Sequence, residues 1–202
     1  MNASPHATTT DTSATTLRRI LKSAPQDLWL DTIRRTKGSA HDDLVHWMLG
    51  QPECDFAVAA YAFYNSDPAS HLTDPQPLPP RPKASQTFAQ VLLNWDMGFY
   101  RTHRLCLDDN DIDRRQIRRL NQKLLAWPKG ALPFNIPTRL LDTEGGQPLD
   151  LPQHLSPDHA SHLWPLYQAL GLRVRPQRSV LRRRVAKATG LLNRVTFRSA
   201  RP

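Results

Sequence analysis

Residues 44–68 read LVHWMLGQPECDFAVAAYAFYNSDP, and from Phe56 to Tyr64 this stretch carries no charge at all. A helix that is apolar all round belongs in the interior of a protein. The stretch therefore predicts a central buried helix over Glu53–Asn65, started by Gln51-Pro52-Glu53 and stopped by Asn65-Ser66-Asp67-Pro68. Upstream, Ser39-Ala40-His41-Asp42 resembles a capping box and predicts a short helix over Ala40–Leu49, ended by Gly50.

Further toward the N-terminus, Leu17, Ile20 and Leu21 share one helical face, and Pro25 interrupts the pattern. Leu28, Trp29 and Ile33 resume it in a second helix over Gln26–Arg35 that Gly38 closes. Before Thr16 the Ser/Thr-rich residues 1–14 have low hydrophobicity and read as a disordered lead-in.

On the other side of the central helix, residues 67–84 hold six prolines and read as an extended, polyproline-like strap. Pro77-Leu78-Pro79-Pro80-Arg81 resembles a ligand for polyproline-reading domains, but a stiff surface crossover is the simpler reading. A connection of this length suggests that the helices it joins are not simple antiparallel neighbours. Next, Phe88, Leu92, Trp95, Phe99, Thr102 and Cys106 recur at spacings of four and three. That seam predicts one long helix over Ser85–Leu107, with Gly98 in its interior.

Acids precede bases in DDNDIDRRQIRRLNQKLLAW, which suits a helix from about Asp111 to Trp127 with Ile117, Leu120 and Leu124 facing inward. Residues 132–151 leave room for one short β-hairpin turning at Gly145-Gly146. Ser156-Pro157-Asp158 opens a helix to about Leu170, closed by Gly171.

Charge is unevenly placed. Residues 173–202 hold ten of the 27 Lys/Arg and no Asp/Glu, which leaves 17 basic against 18 acidic side chains in residues 1–172. Within this tail Leu181, Val185, Ala188, Leu192 and Val195 form one stripe, while Arg178, Arg182, Arg183, Arg184, Lys187 and Arg194 lie mostly elsewhere. The pattern is that of a basic amphipathic helix. It suits phosphate contacts on nucleic acid, an acidic protein groove or an anionic membrane surface. The last is disfavoured because no Trp or Phe anchors the stripe. The bland alternative is a helix that packs its stripe on the body and merely solvates its arginines.

Other residues suggest chemistry more weakly. Asp108–Asp113 alternate oxygen donors like a calcium loop but lack its central Gly and closing Glu, so helix capping explains them better. His154, His159 and His162 with Asp158 lack standard metal-ligand spacing. Cys54, in the first turn of the expected central helix, could have a lowered thiol pKa, yet a buried small hydrophobe fits better. Asp55 and Asp96, acids beside apolar seams, are the expected buried carboxylates. They would bond backbone N–H groups at helix starts or pair with an arginine such as Arg101 or Arg104; facing one pocket, they could do acid–base work. Nucleotide-binding and nucleophile-elbow motifs are absent, and no cofactor is implied. Two cysteines outside any CxxC, no secretory signal and no membrane-length apolar run fit a reduced cytoplasmic interior.

Gln51-Pro52-Glu53-Cys54-Asp55, followed by Ala57, Ala59, Ala60, Phe63 and Tyr64, resembles the "CD…TA…FW" signature of a bacterial family, the domain of unknown function 4274. Asn94-Trp95-Asp96-Met97-Gly98-Phe99 resembles an "NWDxGF" element of the same family. Val58 stands where the family has Thr, Tyr64 where it has Trp, and the order of the two elements is reversed. The resemblance covers about a quarter of the chain. It implies a small bacterial helical protein and carries no assigned activity.

These readings combine into a mainly α protein: a lead-in over residues 1–14, a helical bundle over 15–171 with its proline-rich strap, and a basic arm over 172–202. The function they favour is a non-enzymatic bacterial binding or adaptor protein, its arm contacting nucleic acid or an acidic protein. The alternatives are an immunity-type or regulatory protein that blocks one partner, and a hydrolase using Asp55 or Asp96, which requires both carboxylates to line one cavity.

Overall fold

A computed structural model describes residues 5–36, 38–107, 111–141 and 163–173, with side chains from residue 13 onward. Eight α-helices pack together, and no strand occurs among the described residues. They are α1 (Pro5–Ser23), α2 (Gln26–Arg35), α3 (Asp42–Leu49) and α4 (Phe56–Asn65), then α5 (Thr87–Asp96), α6 (Arg114–Leu125), α7 (Thr138–Leu141) and α8 (Trp164–Ala169). None of them is long and apolar enough to cross a membrane.

The uncharged stretch forms α4, and α4 is central. It packs on α2, α3 and α5. Phe56, Val58, Phe63 and Tyr64 are buried, as are Ala57, Ala59, Ala60 and Ala62, whose small side chains let neighbouring helices come close. The helix begins at Phe56 rather than Glu53, because Asp55 is its N-cap and accepts the Ala57 N–H at 2.9 Å.

α5 is the antiparallel neighbour of α4. Phe56, at the start of α4, meets Trp95 near the end of α5 edge-on at 5.6 Å. Phe63, near the end of α4, stacks on Phe88 near the start of α5 at 5.6 Å. The strap therefore joins direct antiparallel neighbours, contrary to what its length suggests. It is pinned by α6 and the turn after it: Lys123 Nζ of α6 donates to Thr73 Oγ1 at 2.6 Å, and Trp127 Nε1, just beyond the helix, donates to the Leu72 carbonyl at 3.1 Å. Leu78 packs against the core, so part of the Pro77–Arg81 segment already serves the protein's own packing.

The long helix expected over Ser85–Leu107 stops at Asp96. Gly98 has φ +83°, its N–H bonds to the Trp95 carbonyl at 2.8 Å, and the Phe99 N–H bonds to the Asn94 carbonyl at 2.9 Å. These two bonds are the signature of a Schellman C-cap, in which glycine supplies the left-handed residue. Gly98 thus terminates the helix. Apolar residues beyond it are buried for another reason: the chain turns at Tyr100 (φ +60°) and runs past the start of α4. There Phe56 N–H donates to the Thr102 carbonyl at 2.8 Å.

At the N-terminus, α1 extends back to Pro5, so residues 5–14 are helical rather than part of a lead-in. α1 packs on α8, which joins the far ends of the described chain. α2 ends at Arg35 with Thr36 as its C-cap, and Gly38, at φ +67°, leads into a short 3-10 turn over Ser39–His41 instead of closing α2. α6 begins at Arg114 under an Asp113 cap that accepts the Arg115 N–H at 2.9 Å. Gly171 closes α8 with the same paired bonds seen at Gly98: its own N–H to the Gln168 carbonyl and the Leu172 N–H to the Tyr167 carbonyl. Leu140 and Leu141, assigned to the hairpin, are helical in α7. Residues 142–151 of that region, the Ser156-Pro157-Asp158 helix start and the basic helix expected after Arg173 lie outside the described residues.

Candidate functional site

Asp55 and Cys54 are fully buried at the start of α4. Asp55 Oδ1 caps α4, and Oδ2 accepts the Arg104 N–H at 2.8 Å. Its own N–H donates to Gln26 Oε1 at 2.8 Å, which ties α2 to the same point. Burial raises the Asp55 carboxyl above the ordinary aspartate value, while backbone N–H bonds from Ala57, Arg104 and Leu105 and the charge of His103 pull it down. Both oxygens are occupied by structural bonds, so the carboxylate joins α4 to the 101–105 segment.

Cys54 lies just before the cap rather than inside the first turn. Burial pushes its thiol up, and the charges of Asp55 and Glu53 push it further. A thiol held protonated in this way is a poor nucleophile. It donates weakly to the Asp55 carbonyl at 3.7 Å. Both Cys54 and Cys106 are free thiols.

Asp96, expected to be buried, is exposed, because the helix ends there and the chain reverses at Gly98. The polar residue of that motif that does go inside is Asn94. Its Nδ2 donates to the Leu49 carbonyl at 2.8 Å and to the Tyr100 hydroxyl at 2.9 Å, and that hydroxyl donates to the same carbonyl at 2.9 Å. This knot fastens the C-terminal end of α3 to the turn after α5. The pairing of Asp55 with Asp96 that acid–base work requires is therefore not formed.

A different set of residues converges on the surface. A cleft of about 560 Å³ lies between the C-terminal end of α2, the outer face of α4, the strap and the start of α5. That volume is in the range of small-molecule sites. Arg34, Tyr61, Asn65 and Arg173 line it, as do His71, Phe88 and Phe134. Arg34 is held by an ion pair with the buried Asp111 carboxylate. Burial raises the Tyr61 hydroxyl pKa, and Asp111 adds to this, while the neighbouring Asn65 side chain and the charges of Arg34 and Arg173 act in the opposite direction. The His71 imidazole stacks on the Phe88 ring at 4.2 Å and 7°, and Phe134 meets Phe88 edge-on at 5.3 Å. Burial lowers the His71 pKa, with Asp67 opposing.

Most of this cleft could not be read from the sequence. Arg34 and Tyr61 belong to separate helices, and Arg34 meets Asp111 across 77 residues of chain. The one visible signal was the strap, whose residues Asp74 to Pro79 form one wall.

Six basic residues expected to contact a partner, Arg178, Arg182, Arg183, Arg184, Lys187 and Arg194, lie outside the described residues, as do His154, Asp158, His159 and His162. The root of the arm is described. Arg173 N–H donates to the Arg35 carbonyl at 3.3 Å, and Arg35 Nη1 donates to the Arg173 carbonyl at 2.8 Å. Arg35 is itself fixed by two bonds to Asp31, at 2.8 and 3.0 Å, and lies over the Tyr167 ring at 5.1 Å. Among the described residues no group of three or more His, Cys, Asp or Glu is placed to hold a metal ion.

No family model, curated protein or solved structure matches the chain.

Proposed function

We propose that this is a non-enzymatic binding or adaptor protein whose basic C-terminal arm contacts an acidic partner, nucleic acid or protein. The observation that carries this reading is the segregation of charge: ten Lys/Arg and no Asp/Glu after Leu172, against a nearly neutral remainder. A basic block next to a neutral body concentrates favourable potential in one segment, which is how phosphate backbones and acidic surfaces are recognised. The clasp between Arg35 and Arg173 supports it. It anchors the chain to the body at the position where the charge changes. Membership of the bacterial family that the CD and NWDMGF elements resemble belongs to the same proposal.

The test is fluorescence anisotropy with duplex and single-stranded oligonucleotides and with a polyglutamate peptide, at low salt. The full chain is compared with a variant in which Arg178, Arg182, Arg183, Arg184, Lys187 and Arg194 are all replaced by Gln. This variant keeps the apolar stripe and the Arg173 clasp. Binding by the native chain that the variant loses supports the proposal, and the preferred probe identifies the class of partner. Equal binding by both chains, or none by either, overturns it.

A further inference from the structure

We infer that the cleft beside α4 is a second binding site, for a compact organic molecule with one carboxylate or phosphate head and a flat apolar body. The Arg173 N–H bond to the Arg35 carbonyl places Arg173 beside Arg34, and both line the cleft together with Tyr61. Arginine can only donate hydrogen bonds, and its planar fork matches the oxygens of a carboxylate or phosphate. The Asp111 carboxylate takes one donor of Arg34, while Arg34 Nε is buried without a partner. The Arg173 side chain is exposed, and no described carboxylate forms an ion pair with it. Among the described residues this corner therefore holds more donors than acceptors, and an anionic oxygen is the group that would complete it.

The remainder of the cleft selects the rest of the ligand. His71, backed by the buried Phe88 ring on which it stacks, and the partly exposed Phe134 offer an aromatic wall to a flat apolar group. Asp42 and Asp74 also line the cleft. Their charges oppose a polyanion laid along its whole length and confine the negative head to the arginine corner. The site shares only Arg173 with the arm and none of the six cations whose removal tests the arm, so its failure would leave the arm proposal untouched.

The experiment titrates phenyl phosphate, phenylacetate and uncharged benzyl alcohol into isotopically labelled full-length protein. Resonances of Tyr61, Asn65 and Phe134 are followed by NMR. Saturable shifts with at least one anion are expected, with the alcohol about tenfold weaker, as the loss of a charge-assisted hydrogen bond implies. The stronger anion tells a phosphate site from a carboxylate site. Arg173→Gln should weaken anion binding roughly threefold to tenfold without unfolding the protein, because the clasp uses only the backbone of that residue. Arg34→Lys keeps a cation opposite Asp111 but removes the fork, and should also weaken binding. Absence of saturation with both anions, equal affinity for the alcohol, or an unchanged affinity in Arg173→Gln overturns the proposal.

Discussion

Asp55 Oδ2 accepts the backbone N–H of Arg104 at 2.8 Å, across 49 residues of chain. The other oxygen of the same carboxylate caps α4. One buried side chain thus fixes both where the central helix starts and how the segment after α5 returns to it.

Replacing Asp55 by Ala removes a helix cap and leaves the Arg104 N–H without its partner. The combined cost is about 2–4 kcal/mol, from a cap of about 1 kcal/mol and a lost hydrogen bond to a charged group of about 1.5–3 kcal/mol. Urea denaturation of the two chains measures it. A loss below about 0.5 kcal/mol, the usual effect of a surface substitution, contradicts the assigned role.

Asp55 also leaves a mark on the pH dependence of stability. Its carboxyl is raised in the folded state, chiefly by burial, so the folded protein holds this proton more tightly than the unfolded chain does. The contribution of this group is fully present below the ordinary aspartate value and is lost as pH rises through the raised one. In Asp55→Asn that component is absent. The stability difference between native and variant proteins should therefore shift against the native protein as pH rises from about 3 to about 7. Urea midpoints for both chains across this range give the difference directly, and the opposite slope would mean that the backbone bonds outweigh burial.

At the other end of α5, Asn94 and Tyr100 share the Leu49 carbonyl. Tyr100→Phe leaves that carbonyl bonded to Asn94 and should cost about 1 kcal/mol. Asn94→Ala removes both of its bonds at once and should cost about 2–3 kcal/mol. The double variant should lose less than the sum, with a coupling of about 0.5–3 kcal/mol in a thermodynamic cycle. Strict additivity would mean that the three groups do not act as one knot.

Gly98 separates two accounts of its segment by the sign of one substitution. In a helix interior, Gly→Ala would stabilise the protein by about 1 kcal/mol. At φ +83° the same change should destabilise it by about 1–2 kcal/mol, since an L side chain is strained in the left-handed region. The new Cβ would also lie 2.6 Å from Arg101 Nη2, although that flexible side chain can move aside. Thermal unfolding of Gly98→Ala decides between them.

Local signals carried the outline of this fold and long-range contacts carried its details. The absence of charge from Phe56 to Tyr64 sufficed to place α4 inside. Its true start did not follow, because Asp55 is chosen as the cap partly by Arg104, far along the chain. The seam from Phe88 to Cys106 kept a helical period past Gly98 because Phe99 packs against the core from an irregular segment, where spacing carries no information about helix. Asp96 looked inward on the same false continuation. The strap's length argued against neighbouring helices, yet the Phe56–Trp95 and Phe63–Phe88 contacts make α4 and α5 antiparallel partners. Residues of the cleft come from stretches scattered between Ile33 and Arg173, and no periodicity or motif links them.

The salt dependence of duplex oligonucleotide binding by the full chain tests the central claim most directly. If all six named cations of the arm contact phosphates, log K should fall against log salt with a slope of about −5, and proportionately less for fewer contacts. The six-Gln variant should lose that slope together with the binding. A native chain that does not bind at low salt, or a slope that survives removal of the six cations, would contradict the assignment of the arm as the nucleic-acid-contacting element.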